Sequence, residues 1–223
     1  MKGSLTHEDY LKLYNEDQLY SQTFDIKQIQ PSSFDLSLSN ECYEIKYSFL
    51  SPNTKVREKL DNLIVKKISL DKPYTFEINK TYIVKLNEKL KLKNDIFGHC
   101  NPKSSTGRLD IFCRTIVDYA DEYEKIPKNY NGEIFLEITP RSFNINFKKG
   151  DNLNQLRLVY TEHDYISDDK LKEINSKDVI IFNNKDSDIK IENGLKISVS
   201  LFEQDNVVAF FATVPSLSTE TSL

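Results

Sequence analysis

The sequence predicts a mainly β domain, a sandwich or barrel of many short strands with a few short helices. Three observations carry that expectation. Short apolar runs alternate with polar residues from Ile29 to Phe147, the runs are rich in β-branched and aromatic side chains, and Asn, Gly, Pro or Lys clusters separate them. With 39% hydrophobic and 11% aromatic residues, among them 12 Tyr and 13 Phe, the 223-residue chain can bury a sizeable core. Its mean hydropathy of -0.51 points to a polar surface.

In chain order, the first twenty residues read as a helix. Thr6 and Asp9 have capping-box spacing, and Tyr10, Leu11 and Tyr14 share a face. After the turn at Pro31, Ser32 and Ser33, the residues Phe34, Leu36 and Leu38 fall on one strand face. A second helix is predicted over 54–64, where Val56, Leu60, Leu63 and Ile64 recur at helical spacing. Strands follow at 74–78, 81–86, 110–117, 133–138 and 143–147. Beyond Tyr160 the texture changes. A charged stretch over 164–177 reads as a helical turn or two, 183–188 as a polar turn, and 189–191, 195–201 and 207–214 as strands. The expected organisation is one domain over 1–160, then a linker and strands over 161–223.

Thirty Lys and Arg against 34 Asp and Glu give a net charge of -4, with a pI near 5.5. Such a field does not steer a protein onto a nucleic acid polymer, so any anion site must be local. Cys42, Cys100 and Cys113 are odd in number and widely spaced, and no secretory apolar region opens the chain, so a cytoplasmic protein is expected. No apolar run approaches the roughly 20 residues of a membrane span, and no membrane role is expected.

Asn101-Pro102-Lys103-Ser104-Ser105-Thr106-Gly107-Arg108 concentrates two cations, three hydroxyls and a glycine between strand patterns. Freed N–H groups and hydroxyls can cradle phosphate oxygens while Lys or Arg offsets their charge. The spacing is not that of a Walker loop, and the composition alone equally fits a polar connecting turn. In 133–138, alternation puts Ile134, Leu136 and Ile138 on one face and Glu133, Phe135 and Glu137 on the other. A carboxyl beside an aromatic in a cleft has a raised pKa and can take and return a proton; on a solvated edge strand it does neither. Zinc deaminase spacings are absent, and His99-Cys100 reads as a packed or surface pair, so no zinc is expected.

Together these segments resemble the dCTP deaminases of the trimeric dUTPase-like superfamily. Gln30-Pro31-Ser32-Ser33-Phe34-Asp35-Leu36-Ser37-Leu38 is similar to that family's opening strand, with Ser37 where Arg is usual. Asn101 to Leu109 resembles its R-S-S-x-x-R-L loop, with Lys103 replacing the first Arg. Gly132 to Glu137 resembles the strand that brings the catalytic glutamate, and Gly150 to Leu156 the closing turn. The resemblance implies a distorted jelly-roll or β-barrel that forms a homotrimer or pseudo-trimer with active sites between subunits. The implied reaction is hydrolytic deamination of dCTP to dUTP and ammonia. By resemblance, Glu137 shuttles protons, Ser104 and Arg108 position water and stabilise the intermediate, and Lys103 and Ser105 contact the triphosphate, with Mg²⁺ bound through it. Gln155, in the closing turn, is by the same resemblance a substrate-binding residue. The 118–127 stretch, longer and more acidic than the family's base-reading hairpin, offers Asp118 and Tyr119 as nucleoside contacts. The chain looks like the first half of a longer, two-copy variety, whose second copy would begin in the last strands. Two alternatives stand beside deamination: a dUTP diphosphatase, and a non-catalytic nucleotide-binding half that needs a partner domain.

Overall fold

Side chains alternate along a strand, so a strand apolar on both faces needs cover on both. Residue 135 and its neighbours pose that problem, and the fold answers it with two cores. A computed structural model describes residues 3–160, 166–180, 191–192 and 194–195. They fall into two compact units that divide after Glu162.

The first unit contains three α-helices, a 3-10 turn at Ile26–Gln28 and twelve strands among its described residues. Helix α1 spans His7–Asn15, with the Thr6–Asp9 capping box in place. Its buried residues are Tyr10 and Leu13, not the Leu11 and Tyr14 expected beside Tyr10. The predicted helix stops early because the chain turns at Asp17, where φ is +55, and then runs as a strand. The largest sheet contains β1 (Leu19–Ser21), β3 (Leu38–Ile45), β4 (Ile64–Ser69), β6 (Thr81–Lys91), β8 (Ile111–Val117) and β10 (Asn131–Pro140). Its order is β4-β3-β6-β10-β8, with β1 pairing the far end of β6. A second sheet runs β2-β12-β7-β9, built from Phe34–Leu36, Asn154–Val159, Phe97–Pro102 and Lys125–Ile126. A two-stranded ribbon joins β5 (Tyr74–Phe76) to β11 (Ile145–Phe147). These are open sheets ending at edge strands, so the mainly β class holds as a sandwich rather than a closed barrel.

The main core lies between the two larger sheets. Phe34, Leu36 and Leu38 meet Ile134, Leu136, Ile138, Leu156 and Leu158 there, all at most 1% exposed. The second core lies on the other face of the largest sheet, where Ile83, Ile116 and Phe135 pack beneath Phe49, Val56, Leu60 and Leu63. Helix α2 is only Val56–Leu60, shorter than the predicted 54–64, because β-branched Ile64 already pairs as a strand opposite Ile45. Leu63 keeps its place in the apolar cover without being helical.

In the second unit, α4 covers Asp168–Lys177, longer than the turn or two expected. The Ser167 hydroxyl accepts from the Lys170 N–H at 3.3 Å and caps it. Ile191 and Leu195 form an isolated antiparallel bridge. The predicted turn over 183–188 and strand over 207–214 lie outside the described residues, as does nearly all of that over 195–201.

Candidate active site

Glu137 lies in the middle of β10, opposite Ile83 of β6 and Arg114 of β8. It is therefore on a central strand, not a solvated edge. Alternation puts it on the outer face with Phe135, beneath the 45–63 cover, and it is 6% exposed. Burial pushes its pKa above the ordinary carboxylate range, and two groups restrain the rise: the Ser48 hydroxyl and the Arg114 cation. Ser48 donates to Glu137 Oε2 at 2.6 Å, and its hydroxyl also lies 2.6 Å from that of Tyr123. The Arg114 guanidinium rests over the rings of Phe112 and Tyr123, 4.6 and 4.8 Å from their centroids.

Ser104 to Arg108 form a five-residue helix, α3, rather than the open turn expected from the composition. Lys103 precedes it and forms an ion pair with Asp35 at 2.6 Å, while the Thr106 hydroxyl donates to the Leu153 carbonyl at 3.0 Å. Ser104 and Arg108 are exposed and make no side-chain hydrogen bond or ion pair among the described residues. Gln155 pairs in register with Asn101 and Asp35. Lys103 and Gln155 therefore share Asp35 as a neighbour, and Ser104 and Ser105 follow directly on Lys103. Asp118 and Tyr119 lie elsewhere, at the start of α2. The Asp118 carboxylate accepts the Val56 N–H at 2.8 Å, and Tyr119 is 59% exposed.

A cavity of about 490 Å³ lies beside Arg114 and Tyr123, and neither Glu137 nor Ser104 is among its lining residues. Gly107 of α3 lines it, as do Phe112, Arg114, Tyr123 and Glu124. Arg114 and Tyr123 are also the neighbours of the Ser48–Glu137 pair, so one wall serves both. Within a single chain no hydrogen bond or ion pair links Glu137 to Ser104 or Arg108 among the described residues.

Sequence reasoning missed Ser48, Arg114, Tyr123 and Glu124. Glu124 is mostly buried at the junction of the two larger sheets, and its Oε1 accepts the Thr115 N–H at 3.1 Å. Burial is the main cause that pushes its pKa up to about 7. The second oxygen, the Thr115 hydroxyl and both polar atoms of the Asn154 side chain are buried without a hydrogen-bond partner among the described residues. Cys100 is fully buried while His99 faces outward on the same strand, which separates that pair as ligands.

Residues 1–162 match the family described as 2'-deoxycytidine 5'-triphosphate deaminase (DCD) N-terminal domain. The chain belongs to that family. Two curated proteins named dCTP deaminase, dUMP-forming, are similar to it. The one from Dictyoglomus thermophilum is 29% identical over 140 residues, 60% of this chain and 68% of the relative. The one from Methanosphaera stadtmanae is 28% identical over 141 residues, 60% and 67% of the two chains. A crystal structure of 2'-deoxycytidine 5'-triphosphate deaminase from Agrobacterium tumefaciens superposes with a TM-score of 0.73 at 36% identity. It covers 80% of this chain, which spans 54% of that one. All the candidate residues of this deaminase-family chain lie within the matched 1–162 segment. The curated relatives are named for dUMP, not for the dUTP expected from the sequence.

Proposed function

We propose that this chain is the nucleotide-processing domain of a dCTP deaminase in deoxynucleotide metabolism, with Glu137 as its proton carrier. The observation that carries this reading is a carboxyl group 6% exposed on a central strand, its pKa raised by burial, whose cross-strand neighbour Arg114 lines a cavity large enough for a nucleoside. Water adds to C4 of cytosine, N3 gains a proton, and the amine leaves as ammonia. A single carboxyl that both gives and takes protons serves each step. Ser104 and Arg108, exposed and without partners among the described residues, are suited to complete the site of a neighbouring subunit in a homotrimer or pseudo-trimer. There they position water and stabilise the intermediate. Ser105, Lys103 and Gln155 are proposed as phosphate-side contacts, with Lys103 exchanging Asp35 for substrate, and Asp118 and Tyr119 as nucleoside contacts. Mg²⁺ is proposed to arrive on the triphosphate oxygens, where it would screen their charge.

The names of the curated relatives favour a second hydrolysis, in which dCTP and two waters yield dUMP, ammonia and diphosphate. Asp118, the aspartate a diphosphatase reading would use, is held by the Val56 N–H. Incubating the chain with dCTP and with dUTP separates the outcomes. Ammonia from dCTP is expected. Diphosphate accompanying it marks the dUMP-forming course, diphosphate from dUTP without ammonia from dCTP marks a diphosphatase, and binding without turnover marks a non-catalytic half.

A further inference from the structure

We propose that Arg114 donates to the O2 carbonyl of the pyrimidine in the cavity and stabilises the charge that water addition places there. The inference deepens the deaminase reading and rests on it.

Two arginines occupy the outer face of the largest sheet and its cover, and their circumstances differ. Arg57 is held by Glu41 at 2.7 Å and also by Glu133, so its charge is answered inside the fold. Arg114 is partly buried yet makes no hydrogen bond or ion pair among the described residues. Its direct cross-strand neighbour is Glu137, the obvious partner. They do not pair because Ser48 engages the carboxylate and the rings of Phe112 and Tyr123 hold the guanidinium. The Tyr123 hydroxyl lies 2.6 Å from Ser48, so one residue fixes both halves of the arrangement. A partly desolvated guanidinium with free donors, oriented by aromatic faces, is prepared for an acceptor from outside the chain.

The cavity wall points to a planar carbonyl compound as that acceptor's source. Phe112, 51% exposed, and Tyr123 offer flat apolar cover, which suits a heterocycle better than a hydrated phosphate. The hydroxyl-bearing α3 segment reaches the same cavity at Gly107 and leaves phosphates a place of their own. In a pyrimidine, C4 and O2 lie at opposite ends of an N3–C2 bridge. A ring with C4 towards Glu137 turns O2 away from it, towards the cation on the adjacent strand. As water's oxygen bonds to C4, the C4–N3 π pair moves onto N3 and spreads through C2 to O2. Glu137 takes one proton from that water and passes it to N3, the remaining hydroxyl proton goes to the amino group, and ammonia leaves as the C4–O double bond forms. A fixed cation at O2 is strongest when that charge is greatest, which is the condition for lowering the barrier.

The test uses the 223-residue chain with Arg114→Met, which keeps an apolar stem over the rings, and Arg114→Lys, which keeps the charge without the fork. Ammonia release is measured with dCTP and with 2-thio-dCTP, whose sulfur accepts hydrogen bonds poorly; calorimetry uses dCTP and inorganic triphosphate, and urea midpoints confirm folding. For Arg114→Met, kcat/KM for dCTP is expected to fall about 100-fold. Its preference for dCTP over the thio analogue should vanish and its triphosphate affinity stay unchanged, with Arg114→Lys recovering part of the rate. An unaltered kcat/KM in Arg114→Met overturns the proposal, as does an equal loss of triphosphate affinity, which would make Arg114 a phosphate ligand. Wild-type chain that neither binds nor deaminates dCTP refutes the deaminase reading itself, and this inference with it.

Discussion

Glu137 is surrounded by groups that act on its proton in opposite directions, and each can be removed singly. Burial raises its pKa, while Ser48 and Arg114 lower it. Ser48→Ala deletes a hydrogen bond to the ionised form, so the pKa should rise further and the acid limb of the kcat/KM profile should move to higher pH. A profile superimposable on the wild type would detach Ser48 from the mechanism. Glu124 gives a second pH-dependent expectation. Its folded pKa, about 7, exceeds the 4.5 of a free carboxyl. Between those values the native state holds a proton that the unfolded chain has released, so this group's contribution to stability is greatest below about pH 4.5 and is lost as pH rises through 7. Glu124→Gln should remove that fall, worth on the order of 3 kcal/mol, in urea titrations at pH 5 and pH 8. At this scale the sequence disclosed Glu137 and its face, because alternation within one strand is local. It did not disclose Ser48 or Tyr123, which reach the site from 89 residues before Glu137 and 75 after Ser48. Arg114 was equally hidden, since its position opposite Glu137 depends on register between strands.

Among the elements, legibility followed the length and purity of each pattern. The strand over 133–138 was predicted and extends to Asn131–Pro140, because both of its faces are apolar enough to be covered. The 54–64 helix was half right: Val56, Leu60 and Leu63 are buried, but Ile64 belongs to β4. β7 and β12, which flank α3, were read only as the setting of a loop and a turn. Gly98 of β7 is tightly placed against β12, and a Cβ there would lie 2.7 Å from the Arg157 carbonyl oxygen and 2.8 Å from a Leu158 methyl carbon. Gly98→Ala should therefore open this pairing and cost about 1–3 kcal/mol in thermal or urea unfolding. Because β7 leads directly into Lys103 and α3, triphosphate affinity should drop with it, whereas a variant as stable as the wild type would remove the close approach from the account.

At the scale of the molecule, Ser104 and Arg108 are exposed and make no hydrogen bond or ion pair to Glu137 among the described residues, so the proposed chemistry makes a demand on assembly. Sedimentation should give three times the 26.0 kDa of one chain. A strictly monomeric chain that still deaminates dCTP would refute a site shared between subunits. The central claim is that the buried Glu137 carboxyl carries the protons, and Glu137→Gln tests it most directly because the amide keeps the shape and cannot take up or release a proton as the carboxyl does. With saturating dCTP, the variant should bind nucleotide with near wild-type affinity in calorimetry and release no measurable ammonia. Ammonia at the wild-type rate from Glu137→Gln would contradict the account.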